Sequence, residues 1–147
     1  MTADELFTIL DSWILKGWVR SLDYAFVLFL QKEVPETSGI VLLAGALTSH
    51  QLGRGHICLD LKETLLNADD TLSLPPEGEL GEDLPLKPSQ ILAGLDKNVW
   101  ENELSASSLV ACGEGSTPLV LDAGRLYLRR FWDYTRKVAQ AVIVPVT

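Results

Sequence analysis

Pro118-Leu-Val-Leu-Asp-Ala-Gly-Arg-Leu-Tyr-Leu-Arg129 decides the fold class. Pro118 to Asp122 and Arg125 to Arg129 are two strand-like runs. Ala123-Gly124 between them has the length of a tight hairpin, and Gly124 can take a positive φ. One more strand reads upstream, in His56-Ile-Cys-Leu-Asp-Leu61, with Ile57, Leu59 and Leu61 on one face. The rest of the patterned sequence is helical. The expected fold is α+β, a helical layer packed on a small antiparallel sheet.

Working outward, Leu6, Ile9, Leu10, Trp13 and Ile14 form one stripe of a helix over residues 4 to 16, capped by Thr2 or Asp4 and closed by Gly17. A second helix starts at Ser21 and ends before Pro35. Its run Tyr24 to Leu30 is apolar on all sides, which predicts burial on more than one face. A third covers Ser38 to Gln51, with small residues that allow close packing, and Gly53-Arg-Gly55 breaks it. Residues 66–89 hold acids and prolines and read as a long, mobile acidic surface loop. A short helix is expected over Pro88 to Leu95, another from Val99 to Ala111, and a last one from Tyr134 to Val144. The sequence stops at Pro145-Val-Thr147 without a clear domain termination. The whole chain, 1–147, is expected to be one domain cut from something longer.

The chain has 147 residues, is 47% hydrophobic and 22% charged, and carries a net charge of −8. Those proportions are globular. The stretch from Asp60 to Glu103 holds eleven acids and three bases, and acids balance bases elsewhere, so the excess negative charge lies in the middle. A stand-alone nucleic-acid binder usually presents a basic face. Here the only basic excess follows Asp122, in Arg125, Arg129, Arg130, Arg136 and Lys137. Two cysteines, Cys58 and Cys112, make no disulfide framework, and no apolar run is long enough for a bilayer. The acidic start Met1-Thr-Ala-Asp-Glu lacks the basic residues of a signal peptide, so a cytoplasmic location is expected.

Tests for chemistry find little. Gly53-Arg-Gly-His and Gly113-Glu-Gly-Ser-Thr do not satisfy the phosphate-loop pattern, since neither carries its lysine ahead of a helix. His50, His56, Cys58 and Asp60 are the residues from which a metal site or thiol–imidazole pair could be drawn, but their spacing fits no helical His pair or Cys knuckle. No catalytic, cofactor or metal residue is therefore assigned. Trp13, Trp100 and Trp132 read as core. Trp18, just past Gly17 and before Arg20, reads as either core or interface, because Trp and Arg are enriched at interfaces. Arg129-Arg130 reads as the end of a strand on a solvated face, or as a partner contact.

Two blocks carry a family resemblance. Leu43-Ala-Gly-Ala-Leu-Thr-Ser-His-Gln-Leu-Gly-Arg-Gly-His-Ile-Cys-Leu-Asp-Leu61 is one, and Pro118 to Trp132 followed by Tyr134 to Ala139 is the other. Asp23-Tyr-Ala-Phe and Trp100-Glu-Asn-Glu-Leu also fit. Together they resemble the N-terminal domain of the exonuclease V alpha subunit, the RecD subunit of the bacterial RecBCD complex. The resemblance implies an ATP-dependent 5′-to-3′ DNA helicase of recombinational repair. Its ATP and Mg²⁺ would bind motor domains absent here, so no cofactor is expected in this chain. It further implies docking onto the gamma subunit, with the beta subunit also in the assembly and DNA met through the full complex. Trp18, Arg20, Arg129 and Arg130 are the expected contact residues, and an exposed docking patch would allow self-association of the isolated domain. The competing class is a small thiol or metal enzyme using His50, His56 and Cys58. A third reading is direct DNA contact through the basic residues after Asp122.

Overall fold

In a computed structural model of the chain, residues 1–79, 81 and 83–143 are described, those from 140 onward by their backbone alone. Val144, placed by the sequence reading in the last helix, lies outside the described residues. Three helices come first: α1 (Ala3–Leu15), α2 (Ser21–Glu33) and α3 (Gly39–Gly53). Then follow β1 (Leu59–Asp60), α4 (Leu61–Leu66), α5 (Ala68–Leu72), α6 (Pro88–Ile91) and α7 (Lys97–Ala106). The chain continues through β2 (Val110–Ala111), β3 (Leu119–Asp122), β4 (Arg125–Leu128) and α8 (Arg129–Ile143). The α+β class is as expected. The sheet is mixed, in the order β1-β4-β3-β2: β3 and β4 form the expected antiparallel hairpin, but β2 runs parallel to β3.

The start and end of α1 follow from local chemistry. The Thr2 hydroxyl accepts from the Glu5 amide (3.1 Å) at the N-terminus. At the other end Gly17 takes φ +72°, its amide donates to Ile14, and the Trp18 amide donates to Trp13. That is a Schellman closure, which brings the residue after the glycine back against the helix. Trp18 accordingly packs on Trp13, with ring centroids 6.4 Å apart.

α3 is the centre of the molecule. It packs against α1, α2, α7 and the sheet, and its residues from Val41 to Gln51 are all buried. Gly45 sets the approach of α2. A Cβ there would stand 2.6 Å from Leu30 Cδ1, closer than carbon atoms pack. The polar last turns of α3 are buried but bonded. Ser49 Oγ donates to Asp23 Oδ1 (2.6 Å), His50 Nε2–H to the Leu72 carbonyl (2.7 Å), and Gln51 Nε2 to the Thr71 carbonyl (3.1 Å).

The sheet separates two cores. Leu59, Leu119, Leu121 and Leu126 face the large core around α3. Val120 and Tyr127, paired across the hairpin, face the other way and meet Trp132 of α8, with Cys58 beside them. Alternation along each strand divides the residues in this way. The turn places Ala123 at φ +52° and Gly124 at φ +75°, the two positive values that a tight two-residue hairpin requires.

Several expectations are corrected. The run 56–61 forms only a two-residue strand, because the Asp60 carboxylate accepts from the Glu63 amide (3.0 Å) and turns the chain into α4. Ile57 is half exposed. The span 66–89 is not one long loop: it contains α5, buries Leu72 and Leu74, and is fastened at Asp69–Ser89, at Arg54–Thr71 and by Trp13 Nε1 to the Leu86 carbonyl. The helix read over 99–111 stops at Ala106, and Val110 and Ala111 join the sheet. Arg129 and Arg130 begin α8 and do not end a strand, and Trp132 is helical. The apolar run of α2 buries one face only, that of Asp23, Val27 and Leu30.

Candidate docking surface

Four residues, Trp18, Arg20, Arg129 and Arg130, carry the sequence-based expectation of a contact surface, and the fold scatters their roles. Trp18 is only 3% exposed, so the expectation of an available indole is corrected by the Schellman closure that folds it inward. Arg20 serves the buried Asp23. Its amide donates to Oδ2 (2.8 Å), its Nη2 to Oδ1 (2.8 Å), and the same Nη2 to the Ser49 carbonyl (2.9 Å). This fork ties the start of α2 to the end of α3 and compensates a carboxylate that water does not reach.

Arg129 is also engaged within the domain. It donates to the Gly113 carbonyl (2.8 Å), the Thr117 carbonyl (3.1 Å) and Thr117 Oγ1 (2.9 Å), and lies 3.6 Å from Asp133. It holds the β2–β3 connection onto α8. Arg130 is exposed, as is Arg20, and its guanidinium lies over the Phe131 ring at 6.0 Å.

The thiol or metal constellation is not assembled either. His50 is buried under α5, and burial lowers its pKa against the opposing pull of the Leu72 carbonyl and Asp23. His56 and Cys58 line a shallow concavity with Asp60, Arg125 and Tyr127, and His50 is not part of it. Burial pushes the Cys58 thiol up, so it is held as the thiol and not the nucleophilic thiolate. Among the described residues, no three His, Cys, Asp or Glu side chains are grouped to hold a metal ion.

The structure draws attention instead to residues the sequence reading passed over. On α2, Leu22 is 63% and Phe29 47% exposed, and Ala25 between them is exposed as well. Phe26 is half-buried and stacks on Phe29, with centroids 6.4 Å apart and planes 24° from parallel. Leu22, Ala25 and Phe29 fall at i, i+3 and i+7 on the side of α2 away from α3, and Phe26 at i+4 bridges this stripe to the core, its ring close to Gly45 of α3. The signal was present in the all-round apolarity of α2. The stripe was hidden because the buried face also contains Asp23, which a pattern reading assigns to solvent.

The fold and its surfaces define a small α+β domain with an uncovered apolar helix face and buried polar seams. A family profile described as RecBCD enzyme subunit RecD, N-terminal domain, matches residues 15–127. The chain belongs to that family. It is similar to the RecBCD enzyme subunit RecD of Buchnera aphidicola subsp. Schizaphis graminum (strain Sg), at 25% identity over 134 residues. That match takes in 90% of this chain and 20% of the relative, so the chain spans about a fifth of the relative's length.

Proposed function

We propose that this chain is the docking domain of an exonuclease V helicase subunit, holding an ATP-dependent 5′-to-3′ DNA helicase on the gamma subunit during double-strand-break repair and recombination. The observation that carries the reading is the apolar stripe Leu22–Ala25–Phe29, left exposed beside the half-buried Phe26 on a domain whose other apolar helix, α3, is enclosed. An apolar, aromatic-containing helix face is what a protein interface uses at its centre. The relative's name, a subunit of the RecBCD enzyme, supports a neighbour to receive it. In this reading ATP and Mg²⁺ act in motor domains outside the chain, the chain itself catalyses nothing, the beta subunit belongs to the same assembly, and the complex works in the cytoplasm. No helix of the described residues is long and apolar enough to cross a membrane.

Calorimetric titration of this chain with purified gamma subunit tests the reading, with duplex DNA as a parallel titrant. Binding to the subunit is expected, with affinity falling by about tenfold or more in Phe29→Asp, as for an interface anchor. Absence of binding, or an affinity indifferent to Leu22→Asp and Phe29→Asp together, overturns it.

A further inference from the structure

A cavity of about 260 Å³ opens where α2 ends, α3 begins and α7 ends. Buried Val41 and half-buried Val34 give it apolar walls, and Glu36 and Glu103, both exposed, bring two carboxylates to it. None of the four ion pairs among the described residues uses either carboxylate. Among the described residues no Lys, Arg or His lines the cavity. On the surrounding elements Lys97 pairs with Glu101, while Lys32 and Met1, whose carbonyl accepts from the Gly39 amide, stand outside the lining. The Ser38 hydroxyl adds a second feature. It holds the N-cap place of α3 but makes no capping bond, and its oxygen is buried without a hydrogen-bond partner among the described residues. Folded proteins satisfy most such groups, because an orphaned buried hydroxyl is costly.

We propose, resting on the docking reading through α2, that this cavity receives an arginine side chain of the protein that covers the α2 stripe. Continuity puts both features under one partner, since Phe29 lies five residues before Val34, about 8 Å along the helix axis. Size selects a side chain, because small-molecule sites commonly run to about 300–1,000 Å³. Charge selects a cation. Two carboxylates and the C-terminal ends of α2 and α7 supply negative charge, against one positive helix end, that of α3. The first amide of α3 is already taken by the Met1 carbonyl. Donor count selects arginine over lysine. Its planar fork offers five N–H groups and no acceptor, which suits two carboxylates and an orphaned hydroxyl oxygen, and its stem can lie on Val34 and Val41.

Two titrations test the proposal. In the first, N-acetyl-arginine amide is added to the 147-residue chain and the backbone amides are followed by NMR. Saturable shifts are expected at Ser38, Ser107 and Ser108, which line the cavity. The lysine counterpart should bind about threefold more weakly or less tightly still. Glu36→Gln with Glu103→Gln should abolish the saturation; both side chains are exposed and outside any ion pair, so the variant keeps the fold. In the second, the purified gamma subunit is titrated calorimetrically with the wild-type chain and with this double variant, at low and high salt. Affinity should fall by about fivefold or more at low salt, and by less at high salt, where the lost attraction is screened. Glu33→Gln, an exposed acid outside the lining, should change it by less than about twofold. No saturable shift with the arginine probe, an equal effect of Glu33→Gln, or subunit binding indifferent to the double variant overturns the proposal and leaves docking through α2 in place. Saturation of the same amides by inorganic phosphate also overturns it, because the cavity would then be an anion site at the start of α3. Absence of any subunit binding overturns the docking reading itself, and this proposal with it.

Discussion

α2 and α3 are nearly equal in sequence character and opposite in fate. Tyr24 to Leu30 and Ile40 to Leu47 are both close to uniformly apolar. Yet α3 buries every residue from Val41 to Gln51, whereas α2 buries Asp23, Val27 and Leu30. The cause is the number of neighbours. α3 has α1, α2, α7 and the sheet around it; α2 leans chiefly on α3. Apolar composition therefore states what a helix is able to bury, and not how much its own domain will cover. The uncovered remainder of α2 is available to something else.

Truncation of α3 should give the largest effect. Leu47 is fully buried, and Leu47→Ala should lower unfolding free energy by about 3 kcal/mol in a urea titration, the usual loss for a core leucine. Filling the seam between the two helices comes next. Gly45→Val places methyl groups against Leu30, Phe26 and Leu119, and should cost about 2 kcal/mol through overpacking. A cost near zero would mean that α2 yields easily and that its seam with α3 is loose.

The polar end of the seam can be broken separately. Asp23→Ala removes the acceptor of Ser49 Oγ and of three Arg20 donors, with a loss of about 2 kcal/mol expected from the donors left behind. His50 then gives the same seam a pH dependence. Burial lowers its folded pKa, chiefly by desolvation, below the ordinary value of about 6.5. Between those two values the unfolded chain binds more protons than the folded one, so stability must fall as pH drops below about 6.5. Above that value His50 is neutral in both states and the effect vanishes. Stability measured from pH 7.5 to 5.5 should decline, and His50→Gln should flatten the decline; an unchanged slope would assign it elsewhere.

The smallest effect on stability belongs to the outer face of α2. Phe29→Asp should change unfolding free energy by no more than about 0.5 kcal/mol, as surface substitutions do, while the proposed docking role predicts a loss of gamma-subunit affinity of about tenfold or more. A large stability loss would erase the contrast with α3, because it would show that the domain itself uses Phe29.

How far the sequence could be read depended on whether the signal was local. The hairpin was legible because Ala123-Gly124 has the one length that joins two antiparallel runs directly, and both residues take the positive φ such a turn needs. The closure of α1 at Gly17 was equally legible. Its consequence for Trp18 could also have been drawn, since a residue in that place commonly folds back onto the helix. α5 was missed because Leu72 and Leu74 stand among acids and prolines, and the bonds that fix the segment come from Trp13, His50, Gln51 and Arg54, distant in sequence. β2 was missed for a related reason: a two-residue strand has no pattern of its own and exists by pairing with β3.

The sequence by itself determined the α+β class, the hairpin, the three N-terminal helices and the family, because turn chemistry, periodicity and motif are properties of contiguous residues. Only the tertiary structure decided which of two apolar helices is enclosed, that Trp18, Arg20 and Arg129 are spent inside the domain, and that Leu22 and Phe29 stand uncovered. Burial is a relation among elements far apart in the chain, and no local pattern records how many of them meet.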